Sequence, residues 1–510
     1  MKALMISFVI VIALGCTGTV FADTFTVTRV DDPDPDVCLP ADCSLREAAK
    51  AAYNHGGADR VQLAAGTYTL VRGELAFGGD LELVGAGSAL THVISDSRLF
   101  AQPQDQSLLV RGMKIETTFT TILSMTAHQK AASLALEDVA IPTDGGAVSV
   151  YSEDGFAVTL DIRYSDLRTV ICNGQVGTCT IVGSQLSSLD SPASANYPGP
   201  AIHLTGSVVD GALDPTDAFS GINLHRAALV DIEDSTITRT RNGMNEVADP
   251  LVIRLHRLSY SGNALPMSFG VGTDVEITDS EFEANTHRAI RAKEQSTWSI
   301  RGTSFIANSV DDNSGGAILV EDAANVHIEN STFSKNTFSV AAAQAGARGA
   351  AIGYRNGSGL HVDLQHVTMV PPAVAPAGIQ GLTIGGYGGT GDVVVDVNNS
   401  IIAGSCQFDA GALHHGVGNI QSPSTTCGFN SASNQVGVSA NALAIGSFGD
   451  HGGPTRTYEP SIDSVAIDSA NTNHCLPLDQ RGFFRPSGDS CDVGAVEVGA
   501  NDILFANGFE

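Results

Sequence analysis

The chain has 510 residues, 43% hydrophobic and 16% charged, a globular composition that excludes wholesale disorder and fits either a few ordinary domains or one elongated repeat array. A net charge of −28 excludes nucleic acid or an anionic membrane as the main partner, since nothing here would release phosphate counterions. Divalent cations and neutral or basic glycans stay compatible with that surface.

Residues 1–22 read as an export signal. Lys2 supplies the charged end, Ala3 to Leu14 the apolar core, and Val20-Phe21-Ala22 a small-x-small cleavage site before Asp23. Leu14-Gly15-Cys16 offers a weaker lipoprotein alternative, with Ala13 where a larger aliphatic residue is usual. No later stretch reaches the ~18 apolar residues that span a bilayer. Losing the signal removes Cys16 and leaves eight cysteines in close pairs, Cys38–Cys43, Cys172–Cys179, Cys406–Cys427 and Cys475–Cys491. In an exported chain these spacings predict four disulfides, and none has the Cys-x-x-Cys spacing of a zinc site.

TFTVTRV from Thr24 alternates like a strand, and Asp31 to Asp36 follow as a proline-broken acidic loop. In CSLREAAKAA, Ser44 and Glu47 form a capping box, and Leu45, Ala48, Ala49 and Ala52 line one face of a short helix. Such a helix would cover the open end of a strand array. The segments DRVQLAAGTYTL and DLELVGAG then return to short strands.

The middle of the chain repeats itself. DVEITDSEFEAN, WSIRGTSFIAN and NVHIENSTFSKN share an apolar anchor, a short polar residue three on, Phe five on, and Asn three after Phe. The pattern extends through twelve anchors: Val110, Leu136, Ile162, Ile181, Leu204, Ile232, Leu255, Ile277, Ile300, Ile328, Leu364 and Val397. Two residues after the anchor stands Gly, Asp or Asn in nine of the twelve, the types that tolerate a left-handed bend. Gly-small-aliphatic pieces at Gly145, Gly315 and Gly349 start another strand. Strand, bend, strand and loop without helical periodicity predict an all-β fold, a right-handed parallel β-helix of about twelve coils with a short N-terminal capping helix. At ~4.8 Å per coil the rod is on the order of 60 Å long. Phe282, Phe305 and Phe333 should stack inside, and Asn285, Asn308 and Asn336 should form a hydrogen-bonded ladder. The long spacings after Ile328 imply looped-out insertions, AAAQAGARGAA among them.

These residues carry a resemblance. CSLREAAKAA followed by GADRVQLAAGTY resembles the CSLREA-type N-terminal domain of bacterial exported proteins. The middle resembles right-handed parallel β-helix repeat proteins, its GGAI and Phe-x-x-Asn pieces being similar to polymorphic outer-membrane protein repeats, whose family role is adhesion. Asp479-Gln480-Arg481-Gly482 and Cys491-Asp492-Val493-Gly494-Ala495 are similar to the choice-of-anchor Q domain. The resemblance implies a surface or extracellular protein without a settled biochemical activity. No sorting motif with an apolar span and basic tail follows, which points to release or a short recognition tail. The chain divides accordingly into a signal peptide (1–22), a CSLREA-like cap (23–80), β-helix repeats (81–405), disulfide-stapled last coils (406–460), a choice-of-anchor Q-like cap (461–498) and a tail (499–510).

Chemistry would sit on the outward column just before each anchor. There Asp231, Glu233, Arg254, His256 and Glu276 fall on three successive coils. Carboxylates that hold calcium against a uronate, with Arg254 or His256 as base, describe a polysaccharide lyase. The plainer reading is a surface ladder in which Arg254 neutralises Asp231 and Glu276. Asp311-Asp312 lacks the companion motifs of pectin hydrolases and reads as an acidic loop. His414-His415 reads as polar loop, with a metal site as the alternative. Arg46 and Arg481 are expected to fasten the end domains on Glu47 and Asp479, and the acidic loop lacks EF-hand ligand spacing. The leading expectation is an exported, non-enzymatic protein that binds a glycan or another surface. The alternatives are a calcium-assisted lyase around Arg254 and a structural surface component.

Overall fold

The computed structural model describes residues 23–499, apart from 34–35, 56, 102, 143–145, 154, 174–176, 193–198, 215–218, 226, 247–250, 271, 313–314, 345, 356–358, 374–381, 388–392 and 409–411. The expected signal peptide (1–22), the residues from 500 and the expected strand start at Gly145 therefore lie outside the described residues.

The strands wind as a right-handed parallel β-helix of about twelve coils with three sheets. Its register is the one implied by the sequence spacing. All twelve anchors stand opposite one another in one file of the first sheet, from Val110 beside Leu136 to Leu364 beside Val397. The file also runs backward through Leu83 and Val61 to Phe25, so the N-terminal segment supplies rungs of the same sheet. Among the named strands only Ile445–Gly449 and Thr457–Pro460 pair antiparallel.

Each coil leaves the first sheet through a left-handed residue two after the anchor, with φ between 44° and 65° at all twelve positions. Nine are Gly, Asp or Asn; the other three are Tyr164, Arg257 and His366. The next residue extends the pattern. Ser165, Ser184, Ser207 and Ser235 each accept the backbone N–H of the preceding coil and donate to a carbonyl of their own, a serine ladder along the bend. Inside, Phe282 and Phe305 stack at 5.0 Å, and Phe305 and Phe333 at 4.7 Å. The asparagine ladder forms as well, and it begins one coil earlier, at Asn263, under a Tyr260 that takes the Phe position.

The N-terminal helix spans Leu45–His55 and buries Leu45, Ala48, Ala49 and Ala52. Ser44 and Glu47 cap it reciprocally: Glu47 Oε2 accepts the Ser44 N–H at 2.7 Å, and Ser44 Oγ the Glu47 N–H at 3.2 Å. Arg46 corrects an expectation. It turns to Asp32 of the acidic loop at 2.6 Å, because Glu47 is committed to the cap, and Asp32 also accepts the N–H groups of Val71 and Arg72. The AAAQ insertion contains the short helix Val340–Gln344.

All four expected disulfides are present, Cys38–Cys43, Cys172–Cys179, Cys406–Cys427 and Cys475–Cys491. The C-terminal segment folds back along the third sheet. Thr332 donates to Gln480 at 2.6 Å, Gln480 donates to Ser304 at 2.9 Å, and Arg456 pairs with Glu281 and Glu283 at 2.9 and 2.7 Å. Arg481 pairs with Asp479 at 2.9 Å, as the sequence suggested. Among the described residues no helix is long and apolar enough to cross a membrane.

Candidate functional site

The five outward residues read from the sequence occupy two neighbouring rows of the first sheet. Asp231, Arg254 and Glu276 stand opposite one another on successive rungs, and Glu233 stands opposite His256 one row over. The row of Asp231 runs in from Asp161, Thr180 and His203 and continues through Ser299 and His327 to Asp363 and Asp396. Alternation along a strand sends every second side chain outward, so the row spreads along the sheet instead of closing on a point.

Charges pair between rungs. Arg254 approaches Asp231 at 3.8 Å, and His203 Nδ1 lies 3.3 Å from the same carboxylate. Glu233 turns to Arg257 at 2.7 Å, which also holds Asp234 and donates to His256 Nε2. Arg257 keeps the Asp234 carboxyl below the usual carboxylate range. His256 Nδ1 meets Thr278 Oγ1 at 2.7 Å. Arg257 was missed in the sequence because it occupies the bend, a position that reads as purely structural. Glu276 borders a shallow depression with Arg254, Asp274 and Ser299. Among the described residues no three His, Cys, Asp or Glu groups gather as cation ligands.

The remaining candidates are tied to neighbours. His287 lies 3.5 Å from Asp311, and Arg288 pairs with Asp312. His414 and His415 part, since adjacent strand residues face opposite ways. His414 stacks on Phe408 at 4.7 Å, and His415 joins Asp396 at 3.0 Å, whose other oxygen takes His361 at 3.0 Å. His327 sits between Asp363 and Glu329, each at 2.8 Å, and these carboxylates push its imidazole up to about 10.

The second sheet carries a feature that sequence reasoning missed. A groove of about 410 Å³ opens over Asp190, Asn223 and Asn245, which stand opposite one another on three rungs. Phe219, 67% exposed, forms one wall, and Asn242 and His225 border it. Asn223 is buried and saturated. Its Nδ2 donates to Asp190 Oδ1 at 2.7 Å and to the Phe219 carbonyl at 2.8 Å, and its Oδ1 accepts Asn242 Nδ2 at 3.0 Å and Asn245 Nδ2 at 3.2 Å. Asn242 and Asn245, which line the groove, are thus each tied to Asn223 through their amide nitrogens. Gly221 and Gly243 allow the rungs to meet, since a Cβ on Gly221 would lie 2.4 Å from the Gly243 carbonyl oxygen. The signal was available in the sequence: Gly221-Ile222-Asn223 and Gly243-Met244-Asn245 repeat Gly-aliphatic-Asn one coil apart.

A family-model match supports the architecture. A family model described as "Right handed beta helix region" matches residues 169–367. Among solved structures the chain is similar to the catalytic domain of a GH87 alpha-1,3-glucanase in complex with nigerose, at 12% identity and a TM-score of 0.20. That alignment covers 80% of this chain and 66% of the glucanase domain's length. No curated protein matches the sequence.

Proposed function

We propose that this protein is an exported, non-catalytic glycan-binding β-helix that takes a neutral sugar chain in the groove of the second sheet. The observation that carries the reading is Phe219 exposed beside the Asp190–Asn223–Asn242–Asn245 network. A pyranose presents an apolar face that stacks on an aromatic ring and a rim of hydroxyls that need paired donors and acceptors. The groove offers both, with the polar groups held in place before a ligand arrives. Its rungs repeat along the rod axis every ~4.8 Å, so a chain of sugars laid along the axis meets the same row repeatedly. Four disulfides suit an oxidising compartment and support the export reading.

Binding is favoured over turnover because hydrolysis by paired carboxyls needs two of them roughly 5–10 Å apart across the bond. Among the described residues of the groove, Asp190 is the one carboxylate. The test is a glycan array followed by titration of the best neutral ligand against Phe219→Ala and Asn245→Ala. Both variants should lose about tenfold or more in affinity, with no product formed. Release of unsaturated product from acidic polysaccharide in calcium, abolished by Arg254→Ala, would replace this reading with the lyase. Self-association without any glycan ligand would replace it with a structural role.

A further inference from the structure

The second rung of the β-helix contains a buried carboxylate that no lysine or arginine neutralises among the described residues. Asp59 is 3% exposed, and its Oδ1 faces His55 Nδ1 at 2.9 Å and the backbone nitrogen of Asp23 at 3.0 Å. Among the described residues no lysine or arginine pairs with it. Burying a carboxylate is costly unless an opposite charge accompanies it, and an amide N–H beside an imidazole supplies less than that. Asp23 itself is firmly placed. Its carbonyl accepts the Arg60 N–H at 2.8 Å, its carboxylate lies 3.2 Å from His55 Nε2, and the next residue, Thr24, pairs with Arg60 in the sheet. The nitrogen that points at Asp59 is therefore held there by the strand it begins.

An independent feature of the sequence singles out the same nitrogen. The apolar N-terminal stretch closes on Val20-Phe21-Ala22, a small-x-small site whose scissile bond is Ala22–Asp23. We propose that cleavage at this bond supplies the missing cation: the new α-ammonium of Asp23 docks on Asp59 and locks the N-terminal strand against the second rung. Hydrolysis by an export-type endopeptidase consumes one water. The Ala22 carbonyl carbon keeps the hydroxyl, and the Asp23 nitrogen takes the remaining proton and, at neutral pH, one more from solvent. The amide becomes an ammonium at a position already in contact with the carboxylate, and the neighbouring groups that sense it are His55 and the side chain of Asp23. Export processing thus completes an ion pair that the uncleaved chain lacks. The N-terminal strand, already paired with the second rung, is held there more firmly once the leader is gone.

The test uses the full mature chain with three N-termini: Asp23 itself, one additional glycine before Asp23, and N-acetylated Asp23. Each is made with Asp59 and with Asp59→Asn. The Asp23 chain should melt several degrees above the other two, and its α-amine should titrate roughly 1–3 units above the ordinary value of about 8. Both effects should vanish with Asp59→Asn. Because acetylation removes the charge without touching Asp59, it carries the test even where Asp59→Asn does not fold. N-terminal sequencing of the exported protein should begin at Asp23. Equal melting of the three Asp59 chains, or a mature N-terminus at another residue, overturns the proposal.

Discussion

Asn285 Nδ2 donates to Asn308 Oδ1 at 2.8 Å, and both side chains are fully buried. Asn308 Oδ1 also accepts the Asn285 backbone N–H at 3.1 Å, while its Nδ2 reaches the Phe282 carbonyl at 2.9 Å and Asn336 Oδ1 at 3.0 Å. Asn308→Ala would strand several of these groups in a dry turn. At about 1–3 kcal/mol for each unsatisfied group, the loss should be roughly 3–6 kcal/mol. Neighbouring coils depend on one another, so hydrogen exchange should report lost protection in the coils carrying Asn285 and Asn336, fading with distance. Unchanged protection there would show that the ladder is dispensable.

The bends offer a second test. Tyr164 adopts φ 50° at the position where nine of the twelve coils have Gly, Asp or Asn. A left-handed residue with a Cβ costs about 1–2 kcal/mol, and Tyr164 is 65% exposed, so little packing offsets that cost. Tyr164→Gly should therefore be neutral or stabilise by up to about 1 kcal/mol, and Tyr164→Val should destabilise by at least as much, because a β-branched side chain tolerates this region poorly. Denaturant midpoints of the two variants decide it. A stabilising valine would mean that the bend is not strained.

What was legible in the sequence follows from the same geometry. Anchors, bends, phenylalanines and asparagines each face an identical neighbour one coil away, so selection for packing repeats them in sequence, and the register can be counted out from Val110 to Val397. The file of anchors reaches back to Phe25 unseen, because Phe25 and Val61 have no Gly, Asp or Asn two residues on and none of these first strands carries the Phe-x-x-Asn that made the middle recognisable. The groove escaped for a related reason. Asp190, Asn223 and Asn245 form one row in space, yet Asp190 lacks the Gly-aliphatic-Asn context that the two asparagines share, and Phe219 comes from a loop with no repeat at all. Arg257 was hidden by its place in the bend.

His327 makes the pH dependence of the outer face measurable. Hydrogen bonds to Asp363 and then to Glu329 raise its folded-state value to about 10 from an unfolded 6.5. A group raised on folding contributes stability that is fully present below about 6.5 and is lost as pH rises through about 10. The imidazole should therefore remain doubly protonated at pH 8, visible as two ring N–H resonances in nitrogen-correlated NMR spectra. His327→Gln should flatten the stability profile between those limits. The side chain is 38% exposed, so salt should weaken the effect. A ring that titrates near 6.5 would sever this link.

The C-terminal segment supplies the last prediction. Arg485 and Glu497 pair at 2.8 Å with side chains 0% and 1% exposed. Arg485 also donates to the carbonyls of Asp492 and Gly494, and Glu497 accepts the N–H groups of Ser487 and Asp492. Removing one partner of such a pair leaves the other charge buried, at a cost of about 3–5 kcal/mol. Arg485→Met should therefore release residues 461–498 from the third sheet, exposing Thr332 and Ser304 to exchange while leaving the coils near Ile181 protected. Asp492, in the same network, is pushed up to about 6 by burial from an ordinary 3.8. Its folded form binds the proton more tightly, so the stability it contributes is fully present below about 3.8 and is lost as pH rises through about 6. Protease resistance of this segment should fall across that interval, and Asp492→Asn should remove the change. A segment that stays docked in Arg485→Met would mean that Gln480, Arg456 and Cys475–Cys491 hold it without the buried pair.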